Sequence, residues 1–215
     1  MHLEEHFLIG WHISQFSGLD RRERIAISLC SIIPDIDALP RLASQEWYRY
    51  AHHTFGHCIL FGLVIMAAAL YWGGENKHRL ALFCGLSFVA HLGADLVGTR
   101  WALYLYWPFA STPVMSSYGW WLGAWQNRAV LLGLLLLAIP SMLYFRHSPL
   151  ELLNSKLDKM ATAFFVKDLR PGQKCACDND ALCLCDECKT PICLHCNALG
   201  PGFVPLCKKC NVDEL

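Results

Sequence analysis

Two long stretches without a charged residue limit what this chain can fold into. They run from Cys58 to Gly74 and from Ala129 to Phe145, and aromatic residues stand at or near the end of both. Each is close to the roughly 17–25 apolar residues that a membrane-spanning helix needs, with aromatic side chains where lipid headgroups would lie. The stretches therefore predict membrane-spanning helices. A soluble protein with unusually apolar core helices is the alternative.

A third apolar stretch, Leu80–Gly98, is of similar length but contains His91 and Asp95, while Arg24–Ile33 is too short to span a membrane by itself. With 54% apolar and 17% charged residues, the composition is more apolar than that of a typical soluble domain. We therefore predict an all-α fold, a helical integral-membrane domain followed by a small cysteine-rich zinc module. Acidic residues stand near the start of the chain, where a signal peptide would be basic, so we expect no cleavable signal.

The charge pattern argues against one class of function and leaves the orientation open. The formal net charge is zero, which gives no reason to expect a nucleic-acid surface. If three segments span, both faces carry basic residues, so the positive-inside rule does not decide between them. The C-terminal tail is rich in cysteines between Cys175 and Cys210. Because cysteines remain reduced in the cytoplasm, the tail favours a cytoplasmic C-terminus.

Histidine and aspartate are prominent among the polar residues within and beside the apolar stretches. His91 and Asp95 are four residues apart, so they project from one face of a helix. Ionisable residues in a membrane segment are costly and usually functional, although a pair that only satisfies itself is the alternative. His52, His53 and His57 precede the first charge-free stretch. Because consecutive spanning helices are antiparallel, we expect these histidines and the end of the next helix at the same membrane face.

Two aspartates follow the short apolar segment. Asp35 and Asp37 come directly after Pro34, which is expected to end a helix. Alternate residues of an extended segment point the same way, so both carboxylates are expected on one side. The alternative is that one caps a turn and the other is solvated. Of the neighbouring histidines, His53 is out of step with the others and is expected to be a spectator. Carboxylates and imidazoles suit zinc, manganese or iron.

The order of these motifs resembles a known family. Along the chain the motifs are His6, PDID at residues 34–37, an HxxxxH pair at His52 and His57, HxxxD at His91 and Asp95, and an aromatic-proline segment at Tyr104–Phe109. Over about residues 1–145 they resemble the YdjM-like inner-membrane proteins, membrane-bound metal-dependent hydrolases of bacteria related to the zinc-dependent phospholipase C group. The resemblance implies a helical metal site in the inner (cytoplasmic) membrane, made by His6, Asp35, Asp37, His52, His57, His91 and Asp95.

The resemblance also implies an activity, metal-dependent hydrolysis of a phosphoester or lipid-like substrate at the membrane interface. A divalent metal ion, zinc or manganese, would lower the pKa of a water molecule toward about 7 and polarise a phosphoryl or acyl oxygen. Asp35, Asp37 and Asp95 are the candidate catalytic residues, each as a ligand or a general base. The neighbours of His57 differ from the family's usual HRGxTHS. This difference favours the alternative function, a non-catalytic membrane-anchored zinc-finger adaptor or regulatory protein.

Cysteine pairs dominate the tail. The pairs are Cys175/Cys177, Cys185/Cys188, Cys193/Cys196 and Cys207/Cys210. The second and fourth pairs have the spacing of a four-cysteine zinc site, which leaves the first and third for a second, interleaved site with a spacing like that of B-box or RING-type modules. Cys183 and His195 are expected to be spare or substitute ligands. So short a segment cannot bury enough apolar surface to fold without such help.

Disulfides in an oxidising compartment, with one thiol left over, and an iron–sulfur cluster are the alternatives to zinc in the tail. Modules of this kind usually serve structure or protein binding, so we expect a protein partner here and no nucleic acid. The sequence thus predicts three parts: residues 1–148 as a helical membrane domain with a metal site, 149–172 as an amphipathic helix and linker, and 173–215 as a zinc-binding module.

Overall fold

The computed structural model describes residues 1–165, 174–178, 183–193, 196–200 and 204–210 of the chain. The described residues are mainly α-helical, and a cysteine-rich segment follows the helices, so the predicted fold class is confirmed. The chain divides into two units, Met1–Leu137 and Ala138–Leu215. The three predicted parts, with boundaries at residues 148 and 172, stay a prediction, and Pro171 and Gly172 lie outside the described residues.

The first unit is built from helices. They are α1 (Leu3–Gln15), α2 (Arg21–Cys30), α3 (Gln45–Ala51), α4 (Ile59–Trp72), α5 (Lys77–Gly98) and the greater part of α6 (Trp125–Phe145), with 3₁₀ helices at Ile33–Leu42 and Gly74–Asn76. Local signals set several of the helix starts. Asp20 caps α2 by accepting a hydrogen bond from the Glu23 backbone N–H at 2.9 Å, and the Glu23 carboxylate accepts one from the Asp20 N–H at 3.0 Å.

The hairpin of α4 and α5 is antiparallel, as the apolar pattern predicts. Gly62 near the start of α4 lies against Phe88, whose ring would be 2.5 Å from a Cβ at that position, and Met66 lies against Gly85. Residues early in α4 therefore face residues late in α5. This arrangement brings the segment before α4 to the same end of the unit as the last turns of α5.

α1 packs closely on its neighbours because Gly10 has no side chain. A Cβ at Gly10 would lie 2.1 Å from the Ser31 hydroxyl oxygen and 2.9 Å from that of Ser87. The Ser31 hydroxyl donates a hydrogen bond to the His6 carbonyl oxygen at 2.7 Å. The close approach holds His6 of α1 beside α5.

Two helices of the described residues are long and apolar enough to cross a membrane, α5 with the short turn before it (Gly74–Gly98) and α6. By itself this is weak evidence, because the core helix of a soluble protein passes the same test. α4 has 14 residues and is about 21 Å long at about 1.5 Å per residue, less than the roughly 30 Å of a bilayer core. The expectation that Cys58–Gly74 forms a full-length spanning helix was therefore wrong. Cys58 caps the helix, which ends at Trp72 before Gly73 and Gly74.

The second unit contains the end of α6, a 3₁₀ helix at Pro149–Leu152 and α7 (Ser155–Phe165). The strands β1 (Cys183–Leu184) and β2 (Pro191–Ile192) pair antiparallel, as do β3 (Asn197–Gly200) and β4 (Val204–Cys207). In the segment predicted as an amphipathic helix and linker, residues 149–172, the α-helix begins at Ser155, because a 3₁₀ turn precedes it. Residues 166–172 of that segment lie outside the described part. Lys159 of α7 pairs with Asp186 at 3.1 Å.

Candidate metal centre

Four acidic and imidazole side chains converge inside the first unit. Ligand atoms of Asp35, His57, His91 and Asp95 all lie within 4.8 Å of one another. The Nε2 atoms of His57 and His91 are 2.9 Å apart, and each is 3.2 Å from Asp95 Oδ2. The antiparallel hairpin explains the convergence, since His57 precedes α4 and the other histidine lies near the end of α5.

The two histidines present their Nε2 lone pairs to a common point. His91 Nδ1 lies 2.7 Å from the Ser31 carbonyl oxygen, and His57 Nδ1 lies 2.8 Å from Asp37 Oδ2. Because both partners only accept hydrogen bonds, each Nδ1 carries the hydrogen and each Nε2 is the basic nitrogen. Two basic nitrogens 2.9 Å apart repel unless a proton or a cation lies between them. The donor set of imidazole and carboxylate therefore fits a divalent metal ion.

Asp37 lies beside the convergence point and orients its histidines. It is fully buried, and its carboxylate accepts hydrogen bonds from Nδ1 of both His52 and His57 at 2.8 Å and from the Gly56 N–H at 3.2 Å. Gly56 approaches so closely that a Cβ there would lie 2.0 Å from the Pro34 carbonyl oxygen.

The local geometry expected for the two aspartates was wrong, because residues 33–42 form a 3₁₀ helix and no extended segment. Residues two apart in a 3₁₀ helix point in different directions. Asp37 accordingly lies inward among the histidines. The Asp35 side chain is 19% exposed, and its Oδ1 atom is 3.8 Å from His57 Nε2.

His6 approaches the other oxygen of Asp95. Its Nε2 atom is 3.2 Å from Asp95 Oδ1, and its ring stacks on His91 with the ring centroids 3.8 Å apart. The amino group of Met1 also contacts Asp95 Oδ1. The two oxygens of Asp95 thus face different histidines.

The structure also brings in His53, which the sequence pattern had set aside. Its side chain is 4% exposed, and its Nε2 atom lies 3.7 Å from Asp95 Oδ2. Its backbone has a φ of 67°, a left-handed conformation. A helical or extended spacing rule does not apply across such a residue, so position in the sequence gave no signal for it. The neighbouring His52 is held by a hydrogen bond to Asp37 and by an edge-to-face contact with the Trp101 ring.

Burial and pairing set the protonation of the groups outside the spanning helices. Burial lowers the pKa of His6 to about 4 and, with nearby His57, that of His53 to about 2. Burial also lowers the pKa of His57, but hydrogen bonds to Asp37 and Asp95 outweigh this effect and raise it to about 9. Burial raises the pKa of Asp37, yet hydrogen bonds from His52 and His57 lower it to about 2. Without an ion, the cluster therefore retains a proton on His57.

A cavity of about 490 Å³ adjoins the cluster. Asp35 of the cluster lies in its wall, together with His52 and His53 from beside the cluster. The other lining residues are Met1, His2, Leu3, Ala38, Arg41, Tyr48, Thr99, Arg100, Trp101, Trp121 and Leu122. The cavity is large enough for a small substrate and combines aromatic walls with a few polar groups.

Two arginines give this cavity a positive side. Arg41 lies over the Tyr48 ring at 5.5 Å, and Arg100 lies over the Trp121 ring at 5.6 Å. The Arg100 Nε–H also donates to the Gly119 carbonyl oxygen at 2.8 Å. The sequence pattern did not predict this role, because the arginines are far apart in the chain and the loop after α5 has no periodicity.

In the second unit, the cysteine thiols gather in two sets. The first comprises Cys175, Cys177, Cys193 and Cys196, and the second comprises Cys185, Cys188, Cys207 and Cys210. These are the same two interleaved sets that the spacing suggests. The Sγ atoms of Cys177 and Cys193 are 3.3 Å apart, and those of Cys188 and Cys207 are 3.6 Å apart. An S–S bond is about 2.05 Å long, whereas Zn–S bonds of about 2.3 Å place tetrahedral sulfurs about 3.8 Å apart.

The geometry of the tail therefore suits two four-thiolate metal sites. The cysteines for which the structure describes a side chain form no disulfide bond. The side chain of Cys183 and the whole of His195 lie outside the described residues, so their expected roles as spare ligands stay predictions.

A third group, His147, Glu151 and Asp158, was not predicted. His147 Nδ1 lies 3.5 Å from Asp158 Oδ2, and the Ser148 N–H donates to Asp158 Oδ1 at 2.5 Å. Asp158 thereby ties the start of the 3₁₀ helix at Pro149–Leu152 to α7, which gives this group a structural role.

Comparison with known proteins places the chain in a family. No curated protein and no solved structure matches the chain. The family model described as YdjM inner membrane protein matches residues 1–164. The match includes every histidine and aspartate of the cluster and ends before the cysteine-rich tail. The resemblance inferred from the motifs is confirmed: the chain belongs to the YdjM inner membrane protein family.

Proposed function

We propose that this protein is an integral-membrane, metal-dependent hydrolase that acts on a phosphoester or lipid-like substrate at the membrane interface. The main support is the adjacency of two features. Asp35 belongs both to the cluster with His57, His91 and Asp95 and to the wall of the cavity that contains Arg41. A metal centre beside a positively charged cavity is the arrangement that hydrolysis of a phosphoester needs.

Asp35, His57, His91 and Asp95 would hold the ion, with His6 on the far oxygen of Asp95. A divalent zinc or manganese ion supplies Lewis acidity, which favours deprotonation of water and offsets charge on a phosphoryl oxygen. Asp37 fixes the orientation of His57 through the hydrogen bond to Nδ1, and it does the same for His52. We assign Asp37 to positioning.

Asp35 is the carboxylate that a substrate can reach. Its side chain is partly exposed and lines the cavity, so it can accept a proton from water as a general base or contribute a ligand. Arg41 and Arg100 lie where they would bind a phosphate group, and their stacking on aromatic rings limits their motion. The exposed aromatic residues around the cavity suit a substrate that arrives from the membrane surface.

The test uses the full-length protein in lipid nanodiscs, loaded with manganese or zinc and supplied with phosphomonoesters, phosphodiesters and their acylated forms. We expect metal-dependent release of product by the parent. Asp35→Asn should abolish turnover, and Arg100→Gln should raise KM with the metal content unchanged. Arg22→Gln, at an exposed residue at the start of α2, is the control. Metal-loaded protein that hydrolyses none of these substrates would contradict the proposal.

The two cysteine sets favour a second candidate, a membrane-anchored adaptor whose function resides in the tail. In this case zinc would fold the module, and a protein partner would bind it on the cytoplasmic side, where thiols stay reduced. The two candidates differ in which residues a cell needs. If the protein is an adaptor, cells that carry Asp35→Asn or His91→Gln should behave as wild type, and cells that carry Cys185→Ser should lose the function. If it is a hydrolase, Asp35→Asn and His91→Gln should each abolish the function.

A further inference from the structure

His53 is a buried imidazole whose nitrogens are not committed to the fold. Within the part of the chain that the structure describes, its Nδ1 atom has no hydrogen-bond partner. Its Nε2 atom lies 3.7 Å from Asp95 Oδ2, beyond hydrogen-bond distance. A buried polar side chain left in this state costs free energy, about 1–3 kcal/mol for an unmade hydrogen bond. Of the two nitrogens, Nε2 faces Asp95 and is the one that can bind a ligand shared with that carboxylate.

The backbone holds His53 in this position at a further cost. Its φ of 67° lies in the left-handed region, which is unfavourable for residues with a side chain by roughly 1–2 kcal/mol. The Tyr104 N–H donates to the His53 carbonyl oxygen at 3.0 Å and fixes the strained turn. Strain of this kind is concentrated at functional sites, where the surrounding structure maintains it.

His53 lies on the cavity side of the cluster. The Nε2 atom of His53 lies 3.7 Å from Asp95 Oδ2, the same oxygen that is 3.2 Å from the Nε2 atoms of His57 and His91. His53 is outside the group of four whose atoms lie within 4.8 Å of one another, but it lines the cavity as Asp35 does. A single ion among the four would leave His53 without a role, while Asp95 can bridge two ions.

We propose that His53 and Asp95 hold a second divalent cation at the boundary between the cluster and the cavity, where the substrate's phosphate would complete its coordination. The proposal rests on the metal centre of the proposed function and adds a second ion to it. Two-ion sites place their ions about 3.5–4 Å apart and stabilise the attacking and leaving oxygens together. The alternative is that His53 only packs against Trp101 and His52.

Manganese binding by the full-length protein separates these roles. The protein carries two equivalents of zinc, which thiolates bind first, and Mn²⁺ prefers oxygen and nitrogen ligands to thiolate, so the added manganese reports on the first unit. Bound Mn²⁺ is counted by equilibrium dialysis, and electron paramagnetic resonance detects exchange coupling between neighbouring ions. We expect two coupled ions in the parent and one uncoupled ion in His53→Asn. His78→Asn, at an exposed histidine near the start of α5, should behave as the parent.

His53→Gly guards against a simple folding defect. Glycine adopts positive φ without strain and asparagine tolerates it, so the metal-free variants should melt no lower than the metal-free parent. Equal Mn²⁺ counts in the parent and His53→Asn, whether one ion or two, would overturn the assignment of a second ion to His53. Zero Mn²⁺ in the parent would overturn the metal centre as well, whereas two bound ions without any turnover would contradict only the hydrolase.

Discussion

The two candidate metal-binding regions of this chain differ in how the protein holds their ligands. In the first unit, histidines and aspartates are buried, and their orientation is fixed by other protein groups, such as Asp37 on His57 and the Ser31 carbonyl on His91. In the tail, thiols lie on short hairpins, and the described core consists of a few residues around Ile192 and Leu206. The first region is built by helix packing and offers its ligands to an ion. The second region has so small a core that we expect it to need an ion in order to fold.

This difference predicts that the largest effect comes from loss of a metal ion, which we propose to be zinc, from the tail. Structural zinc sites contribute roughly 10–16 kcal/mol of binding free energy, which is also folding free energy. Cys185→Ser should therefore lose one zinc per chain and make the tail sensitive to protease, while the helical circular dichroism of the first unit stays. Elemental analysis and limited proteolysis measure this. Cys58→Ser is the control, because serine caps α4 equally well.

If Cys185→Ser left both the zinc count and the protease pattern unchanged, the tail would fold without this thiolate site. Loss of the helical signal of the first unit in the same variant would show that the two regions are not independent.

The comparison also predicts that orientation matters in the first unit. Asp37→Asn keeps the volume of the side chain but cannot accept hydrogen bonds equally from His52 and His57. We expect manganese affinity to fall about 10–100-fold with the fold retained, as is usual when a group behind a ligand is changed. Asp20→Asn, which still caps α2, is the matched control. Competition with a fluorescent chelator measures the affinity, and equal affinities would refute the positioning role.

Close packing around the cluster can be tested at Gly56. A Cβ there would collide with the Pro34 carbonyl oxygen at 2.0 Å, so Gly56→Ala should destabilise the first unit by about 1–3 kcal/mol. Gly93 of α5 is the control, since its Cβ would meet nothing within 4 Å and alanine there favours the helix by about 0.5–1 kcal/mol. Thermal unfolding in one detergent compares them. An unaffected Gly56→Ala protein would show that residues 33–57 are not packed as described.

A smaller effect should appear in the pH dependence of metal binding. Hydrogen bonds outweigh burial and raise the pKa of metal-free His57 to about 9, so its imidazole is protonated at neutral pH. An ion must displace that proton. Apparent affinity should therefore rise by about tenfold per pH unit up to about pH 9, with about one proton released per ion near pH 7.5. Calorimetry in buffers of different ionisation enthalpy counts the proton, and binding without proton release would contradict this protonation state.

The sequence predicted those parts of the site that follow from a regular period. His91 and Asp95 share a face because an α-helix repeats every 3.6 residues, and the α4–α5 hairpin placed His57 near them. The two cysteine sets could also be predicted from the sequence, because a CxxC turn is a local structure. Each of these signals depends on near neighbours in the chain or on one antiparallel hairpin.

The remainder depends on contacts that have no local signal. Asp37 lies inward because a 3₁₀ helix, rather than an extended segment, follows α2. His53 joins the cluster through a single left-handed residue that Tyr104 holds in place, and Arg41 and Arg100 meet at one cavity only after the whole unit has folded. Sequence spacing is informative within an element and loses its meaning at the irregular segments between elements.

X-ray absorption on one sample tests the central claim most directly, because it separates the two regions by element. Full-length protein with zinc in the tail and manganese added should show four sulfurs at about 2.3 Å at the zinc edge. The manganese edge should show only nitrogen and oxygen neighbours, and Asp95→Asn with His91→Gln should lose that manganese while keeping the zinc spectrum. Manganese uptake that is unchanged in this double variant, or sulfur neighbours around manganese, would contradict a separate histidine–aspartate metal centre in the first unit.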